Sequence, residues 1–403
     1  MKRVHIEAMS GPSVAEMETE IVERKGLGHP DTICDAVMES ISQALCRAYA
    51  SQFGRVLHYN CDKALLVAGQ VERCWGGGRV TSPMRMVIGD RATSQVGDAS
   101  LDIPSLVVET AHKWFRRHLR HVDPERHLTY QVEIRPGSQE LVGLFQDGPR
   151  VLGANDTSAV VGYAPLTETE RIVLETERYV NSPALKASFP ETGEDVKVMG
   201  VRQHRTLSLI IAMPLLDRYL SGERAYFQRK EEVRQAALGY VQSNLKNIQE
   251  VTVALNLLDQ PGMDLVGTYV SVLGTSAEDA DSGQVGRGNE INGLICLNRP
   301  RGSEAASGKN PVSHVGKIYN VLAHRLANRL YEELPPVKET IVWLCSRIGE
   351  PIDQPFLSSV QVRLEPGTTL NEVSGAIRDE IEREFEGMEA FCRELGEGKF
   401  SAS

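Results

Sequence analysis

The sequence predicts an α+β fold in which short strands and amphipathic helices mix. Two observations point there. β-rich or continuously apolar runs are interspersed with helical stretches without the strict strand–helix alternation of a doubly wound sheet. The glycine-rich stretches between them, 76–78, 283–293 and 302–308, are interrupted by specific polar residues and read as loops rather than flexible linkers. With 403 residues, 41% of them apolar and 24% charged, the chain can bury a core large enough for two or three subdomains.

In chain order, Pro30 follows His29 and precedes Ile33, Val37, Ile41, Leu45 and Tyr49, a spacing of four that traces one helix face from His29 onward. Ala64–Val71, Tyr130–Arg135 and Val160–Ala164 have the composition and flanking residues of strands. Glu168–Tyr179 and Arg229–Asn247 are predicted helices on either side of a buried strand, Leu207–Met213. Val251–Leu258 and Leu265–Leu273 are predicted to form a strand pair. A long helix carries the stripe Val315, Ile318, Tyr319, Leu322, Leu326 and Leu330, with Ser313 as its N-cap. Strands Ile341–Cys345 and Val360–Leu364 follow, and a charged helix near Asn371–Phe385 closes the fold. No repeat is evident in the sequence.

Composition excludes several functions. A net charge of −10 argues against a duplex nucleic-acid binder, although a focused cationic pocket is hidden in that sum. The start MKRVHIEAMSG holds no apolar run of signal-peptide length, and no stretch approaches the ~20 apolar residues of a membrane span, so a cytoplasmic location is expected. Seven scattered cysteines without a CxxC pair suggest reduced thiols, not a disulfide framework or a zinc site.

Five segments carry chemistry. In 26–35, GLGHPDTICD, the His29-Pro30-Asp31 triplet sits at a helix N-terminus, whose dipole and free N–H groups favour an anion. Asp31 and Asp35, four apart, share a helical face and could hold Mg2+, while His29 could donate to a phosphate. In 281–289, DSGQVGRGN, glycines admit phosphate close to the backbone and Arg287 offers a planar fork of donors; the spacing rejects a dinucleotide fingerprint. In 302–311, GSEAASGKNP, five residues separate the glycines and Asn310 follows the lysine, so a P-loop is rejected, yet Lys309 and Lys317 still suit phosphate. Finally, Asn155-Asp156-Thr157-Ser158 and Glu194-Asp195-Val196-Lys197 place carboxylates and a lysine beside strands; alone, each suits a turn or a surface pair equally well.

Taken in order, VERKGLGHPDTICD, ANDTS, GEDVKVMG, DSGQVGRGNEINGLI and RPRGSEAASGKNPVSHVGKIYN resemble the archaeal-type S-adenosylmethionine synthetases over nearly the whole chain. The resemblance implies a single unit, 1–403, of three interleaved, related α/β subdomains about a pseudo-threefold axis. It also implies a homodimer with active sites between subunits, ATP and L-methionine as substrates, and Mg2+ with K+ as cofactors. By motif, His29 matches the histidine that assists triphosphate departure and Asp31 a Mg2+ ligand, while Lys197, Arg287 and Lys309 match phosphate-binding cations. Asp156, Asp195 and Asp281, with Ser282 beside it, match positions that hold methionine or nucleotide, and Gly137, Ser138 and Gln139 part of a substrate-facing loop. Ser313 and Val315 stand where the bacterial and eukaryotic branch has a second lysine and an aspartate metal ligand; Lys317 is the candidate replacement for the lysine, and Asp35 or Asp62 for the metal oxygen. Two other readings are a related adenosyltransferase for a methionine analogue and a nucleotide-binding regulatory subunit. The second predicts erosion of His29, Asp31, Arg287 or Lys309, and all four are present.

Overall fold

The computed structural model describes residues 4–137, 145 and 151–400. Its three principal sheets each take strands from distant parts of the chain. In one, Val4–Ala8 runs parallel to Leu357–Leu364, which continues antiparallel to Val337–Cys345 and then Ala159–Ala164. The second has five strands in the order Glu250–Leu255, Thr206–Ala212, Lys197–Gln203, Thr19–Lys25 and Ile295–Cys296. The third orders Gly283–Gln284, Tyr59–Val67, Met84–Ala92 and Leu128–Arg135.

Helices cover one face of each sheet. α1 (Pro30–Phe53) and α2 (Ile103–His118) pack on the third sheet, and the predicted stripe from Ile33 to Tyr49 is fully buried there. α3 (Glu168–Val180) and α5 (Glu223–Ser243), with the short α4 (Pro183–Ser188) beside α3, bury the second sheet. α6 (Val315–Glu333), α7 (Leu370–Glu386) and α8 (Met388–Gly396) bury the first. Three separate apolar cores result, one per sheet.

Local chemistry sets the helix ends. Pro30 occupies the first turn of α1, where a missing N–H costs nothing, and Gly54 ends it at φ 72°. α5 begins six residues before the expected Arg229 because Tyr226 extends the buried stripe Val233, Ala237, Val241 by two turns. The expected strand pair at 251–273 does not form. The first strand stops at Leu255, where Asn256 turns at φ 47° and sends Leu257 and Leu258 into solvent. Asp264–Gly267 is a 3-10 turn, and only Val270–Ser271 is extended, pairing with Leu215–Leu216 instead. The C-terminal helix does not close the fold, since α8 follows after Gly387. Among the described residues no helix is long and apolar enough to cross a membrane.

Candidate active site

Two groups of polar side chains gather where the three sheets meet. The first surrounds the N-terminus of α1. His29 caps this helix, its Nδ1 accepting from Asp31 N at 3.2 Å, which leaves Nε2 as the protonated nitrogen. Burial pushes the imidazole down to about 4, so it is neutral near pH 7 and acts as a donor. The loop before it is pinned to 194–196 by Gly26 N to Val196 O (2.6 Å) and Gly28 N to Glu194 O (3.0 Å). This brings Lys197 and Asp281 into the electrostatic surroundings of His29. Lys197 keeps a 3.3 Å bond to Glu23 and remains partly exposed.

The glycine-rich loop after Asp281 lies directly on α1. A Cβ at Gly283 would fall 2.1 Å from Pro30 O, so only glycine permits this approach. Asp31 accepts from Gln284 N at 2.9 Å and from Lys25 Nζ at 2.9 Å, and Lys25 also donates to Arg287 O at 2.6 Å. One turn on, Asp35 accepts from Gly286 N at 2.8 Å and Gly288 N at 3.2 Å. The loop thereby turns its Arg287 side chain outward, exposed and without an ion pair among the described residues.

These bonds separate the two aspartates proposed as metal ligands. Each Asp31 oxygen accepts one bond and retains acceptor capacity at a helix N-terminus, so Asp31 fits a cation shared with phosphate oxygens. Asp35 fits a cation less well. It is 2% exposed, its two oxygens hold Gly286 N and Gly288 N, and Gly288 packs so closely that a Cβ there would lie 2.2 Å from Oδ2. Burial also raises its carboxyl to about 7, which disfavours the anion a hard cation requires. Asp35 is a clasp for the loop. Among the described residues no cluster of three His, Cys, Asp or Glu forms a closed metal cage.

The second group lines a cavity of about 870 Å3 beside Arg287 that includes Asp156, Glu304, Lys309 and His314. Lys309 is 4% exposed, with Nζ 2.7 Å from Glu304, 2.5 Å from Ala305 O and 3.3 Å from Asp62. Its position is set from behind. Lys317 is 1% exposed and ion-paired to Glu39 at 2.7 Å; Glu39 accepts from Gly308 N at 3.2 Å, and Ser42 Oγ, bonded to Lys317, donates to Lys309 O at 2.8 Å. Lys317, expected to meet substrate, is therefore a buried support for the Lys309 loop.

The remaining expected residues divide similarly. Asp156 is exposed on the cavity wall, its Oδ1 accepting from Thr157 N at 2.7 Å. Asp281 is exposed beside the α1 group. Ser282 Oγ accepts from Ala68 N at 3.1 Å, anchoring the loop to the third sheet. Asp195 is buried, holding Ser276 N and Oγ through Oδ2 at 2.7 and 2.5 Å, and burial raises it to about 6; it positions the 274–276 turn rather than facing open space. Gly137 lies against His58, while Ser138 and Gln139 fall outside the described residues. Sequence reasoning missed Glu304 and His314. The signal for His314 was its position just before a stripe of buried apolar residues, as at His29; His314, not Ser313, caps α6.

The site of this layered α+β protein thus combines neutral histidine donors, cations and glycine-rich loops at helix N-termini, a chemistry suited to anions. The sequence matches the family described as S-adenosylmethionine synthetase (AdoMet synthetase) over residues 2–399. It is 42% identical over 388 residues to the probable S-adenosylmethionine synthase of Aquifex aeolicus, covering 95% of this chain and 96% of that protein. It is also 42% identical over 385 residues to the S-adenosylmethionine synthase of Aeropyrum pernix, covering 94% and 93%. An unusual S-adenosylmethionine synthetase from Campylobacter jejuni shares the fold, with a TM-score of 0.60 and 16% identity over 94% of this chain and 93% of that one. The chain belongs to the S-adenosylmethionine synthetase family.

Proposed function

We propose that this chain joins L-methionine to the adenosyl group of ATP. Methionine sulfur forms a bond to the ribose 5′ carbon as the carbon–oxygen bond breaks, and tripolyphosphate leaves with the electron pair. Water then cleaves the tripolyphosphate to phosphate and pyrophosphate. The observation that carries this reading is the convergence of Arg287, Lys309 and His314 on one cavity, with His29 and Lys197 at the neighbouring helix N-terminus, in a chain of this family.

The sulfur is uncharged and needs no general base. The reaction instead requires alignment of sulfur with carbon and stabilisation of the polyanion as it forms. His29 donates through Nε2–H, and Lys197, Arg287 and Lys309 supply positive charge, while Asp156 and Asp281 hold the methionine ammonium or the nucleotide. Mg2+, held by Asp31 and phosphate oxygens, would neutralise charge on the departing group; K+ is proposed to accompany it. A homodimer with active sites between subunits is supported by two features. The expected residues form two groups rather than one, and Leu65, which lines the cavity, and Val67 on the same strand face are 42% and 37% exposed where a second copy could cover them. Free cysteines are consistent with a cytoplasmic location. The test is incubation with ATP, methionine, Mg2+ and K+ followed by mass spectrometry. Adenosylated methionine supports the reading, and ADP with phosphate alone contradicts it.

A further inference from the structure

The same local device occurs twice in this fold, and only the copy at His29 has been given a chemical role above. His29 caps α1 with Nδ1 accepting from the N–H two residues on. His314 caps α6 in the same way, Nδ1 accepting from Gly316 N at 3.3 Å. Both helices are long and buried, and both rings are nearly enclosed: His29 is 8% and His314 6% exposed.

In each case the cap fixes the tautomer. With Nδ1 as acceptor, Nε2 carries the proton and can only donate. Burial, reinforced at His314 by the nearby Lys309, pushes that imidazole down to about 3, so it stays neutral at working pH. Among the described residues no hydrogen bond satisfies His314 Nε2. The ring lines the same cavity as Lys309 and Arg287. Its orientation is held by the cap bond to Gly316 N, and glycine there leaves the ring room, since a Cβ would lie 3.3 Å from Nδ1 and from the adjacent ring carbon and 2.6 Å from the Glu304 carboxylate.

The helix end lacks an acid of its own. The first turn of α1 carries Asp31, whereas the first turn of α6 carries no acidic residue, so its positive dipole end is not compensated within its own sequence. Glu304 reaches this end from the preceding loop, where it pairs with Lys309 at 2.7 Å. A polyphosphate oxygen arriving here would compete with Glu304 and Asp62 for Lys309 and would meet the dipole and a pre-oriented neutral N–H donor beside it.

We propose that His314 is a second substrate-contacting histidine, its Nε2–H donating to a phosphate oxygen of the tripolyphosphate chain in the cavity shared with Lys309 and Arg287. The inference rests on the adenosyl-transfer reading for the source of that polyanion. His314 moves no proton in this role. It holds the anion while water breaks the phosphorus–oxygen bond.

Two substitutions separate the donor from the cap. Asparagine reproduces the position of Nδ1 and is a favoured N-cap, but it lacks the reach of Nε2. Glutamine reproduces the Nε2 position and is a poorer cap. His314→Asn should therefore retain most thermal stability yet slow hydrolysis of supplied tripolyphosphate by about 10- to 100-fold, the effect of losing one hydrogen bond to a charged group. His314→Gln should recover a large part of that rate despite a lower Tm. The affinity for inorganic tripolyphosphate, measured by calorimetry on the full chain, should weaken in the same order and tests the contact whether or not turnover occurs. A His314→Asn enzyme matching the unchanged protein, with His314→Gln the weaker, would overturn the proposal and leave His314 as a cap alone. Equal losses in both variants would overturn it as well. Failure of the underlying reading shows separately, as absence of adenosylated methionine from the unchanged chain.

Discussion

Replacing Asp35 by asparagine tests whether this carboxylate clasps the phosphate loop or binds metal. The side chain is 2% exposed and accepts one bond each from Gly286 N and Gly288 N. Asparagine keeps one acceptor and turns its NH2 toward the other amide, leaving a buried donor unsatisfied at a cost of about 1–3 kcal/mol. Against that stands the charge. Burial raises Asp35 from 3.8 to about 7 in the fold. A raised folded value means the unfolded chain ionises first, so the contribution to stability is complete below the unfolded value and is lost as pH rises through about 7. Between about pH 5 and about pH 9 this loss amounts to about 3 kcal/mol, a penalty the uncharged variant escapes. Asp35→Asn should thus be destabilising at the lower pH and close to neutral or stabilising at the higher. Denaturant unfolding of both proteins at the two pH values measures this directly. A stability difference that does not change with pH would refute the buried-clasp argument. So would a large rise in the Mg2+ concentration needed for half-maximal activity, because that would return Asp35 to the metal.

Three further outcomes follow from the same geometry. Lys309→Met should lower adenosyl transfer by about 100- to 1,000-fold and slow tripolyphosphate hydrolysis as well, since it removes a preorganised cation; unchanged hydrolysis of supplied tripolyphosphate would contradict the phosphate role. Lys317→Met should destabilise the fold by about 3–5 kcal/mol by leaving Glu39 buried and unpaired, and adding Glu39→Gln should restore much of that loss in a double-mutant cycle, with KM for ATP near that of the unchanged protein. A KM effect in the double variant as large as that of Lys309→Met would instead put Lys317 in contact with substrate. Asp31→Asn should raise the Mg2+ requirement by about 10-fold or more, checked by activity against free Mg2+ after chelation, and an unchanged requirement would remove Asp31 from the metal shell.

What could be read from the chain was mostly what neighbours in sequence determine. Pro30 and the four-residue stripe after it define α1 locally, and the buried face matches that stripe residue by residue. Lys309 and Arg287 were recognisable because glycines beside a cation are a local pattern, and the structure puts both at one cavity. The engagement of Asp35 and Lys317 was not legible for a common reason: their partners, Gly286 and Glu39, lie 251 and 278 residues away in sequence. The strand expected at 265–273 failed because an apolar run carries no information on whether a partner edge lies beside it, and only Leu215–Leu216 does. At α6, Ser313 was the expected cap, and His314 takes the position instead. The choice fell to the histidine because its ring, buried beside Gly316, satisfies the second amide of the helix.

The most direct test of the whole account is product analysis after incubation of the purified chain with ATP, L-methionine, Mg2+ and K+. Equal amounts of S-adenosylmethionine, phosphate and pyrophosphate are expected, all lost together in the Lys309→Met protein. ADP and phosphate without any adenosylated methionine would contradict adenosyl transfer and, with it, the roles assigned to His29, Arg287 and Lys309.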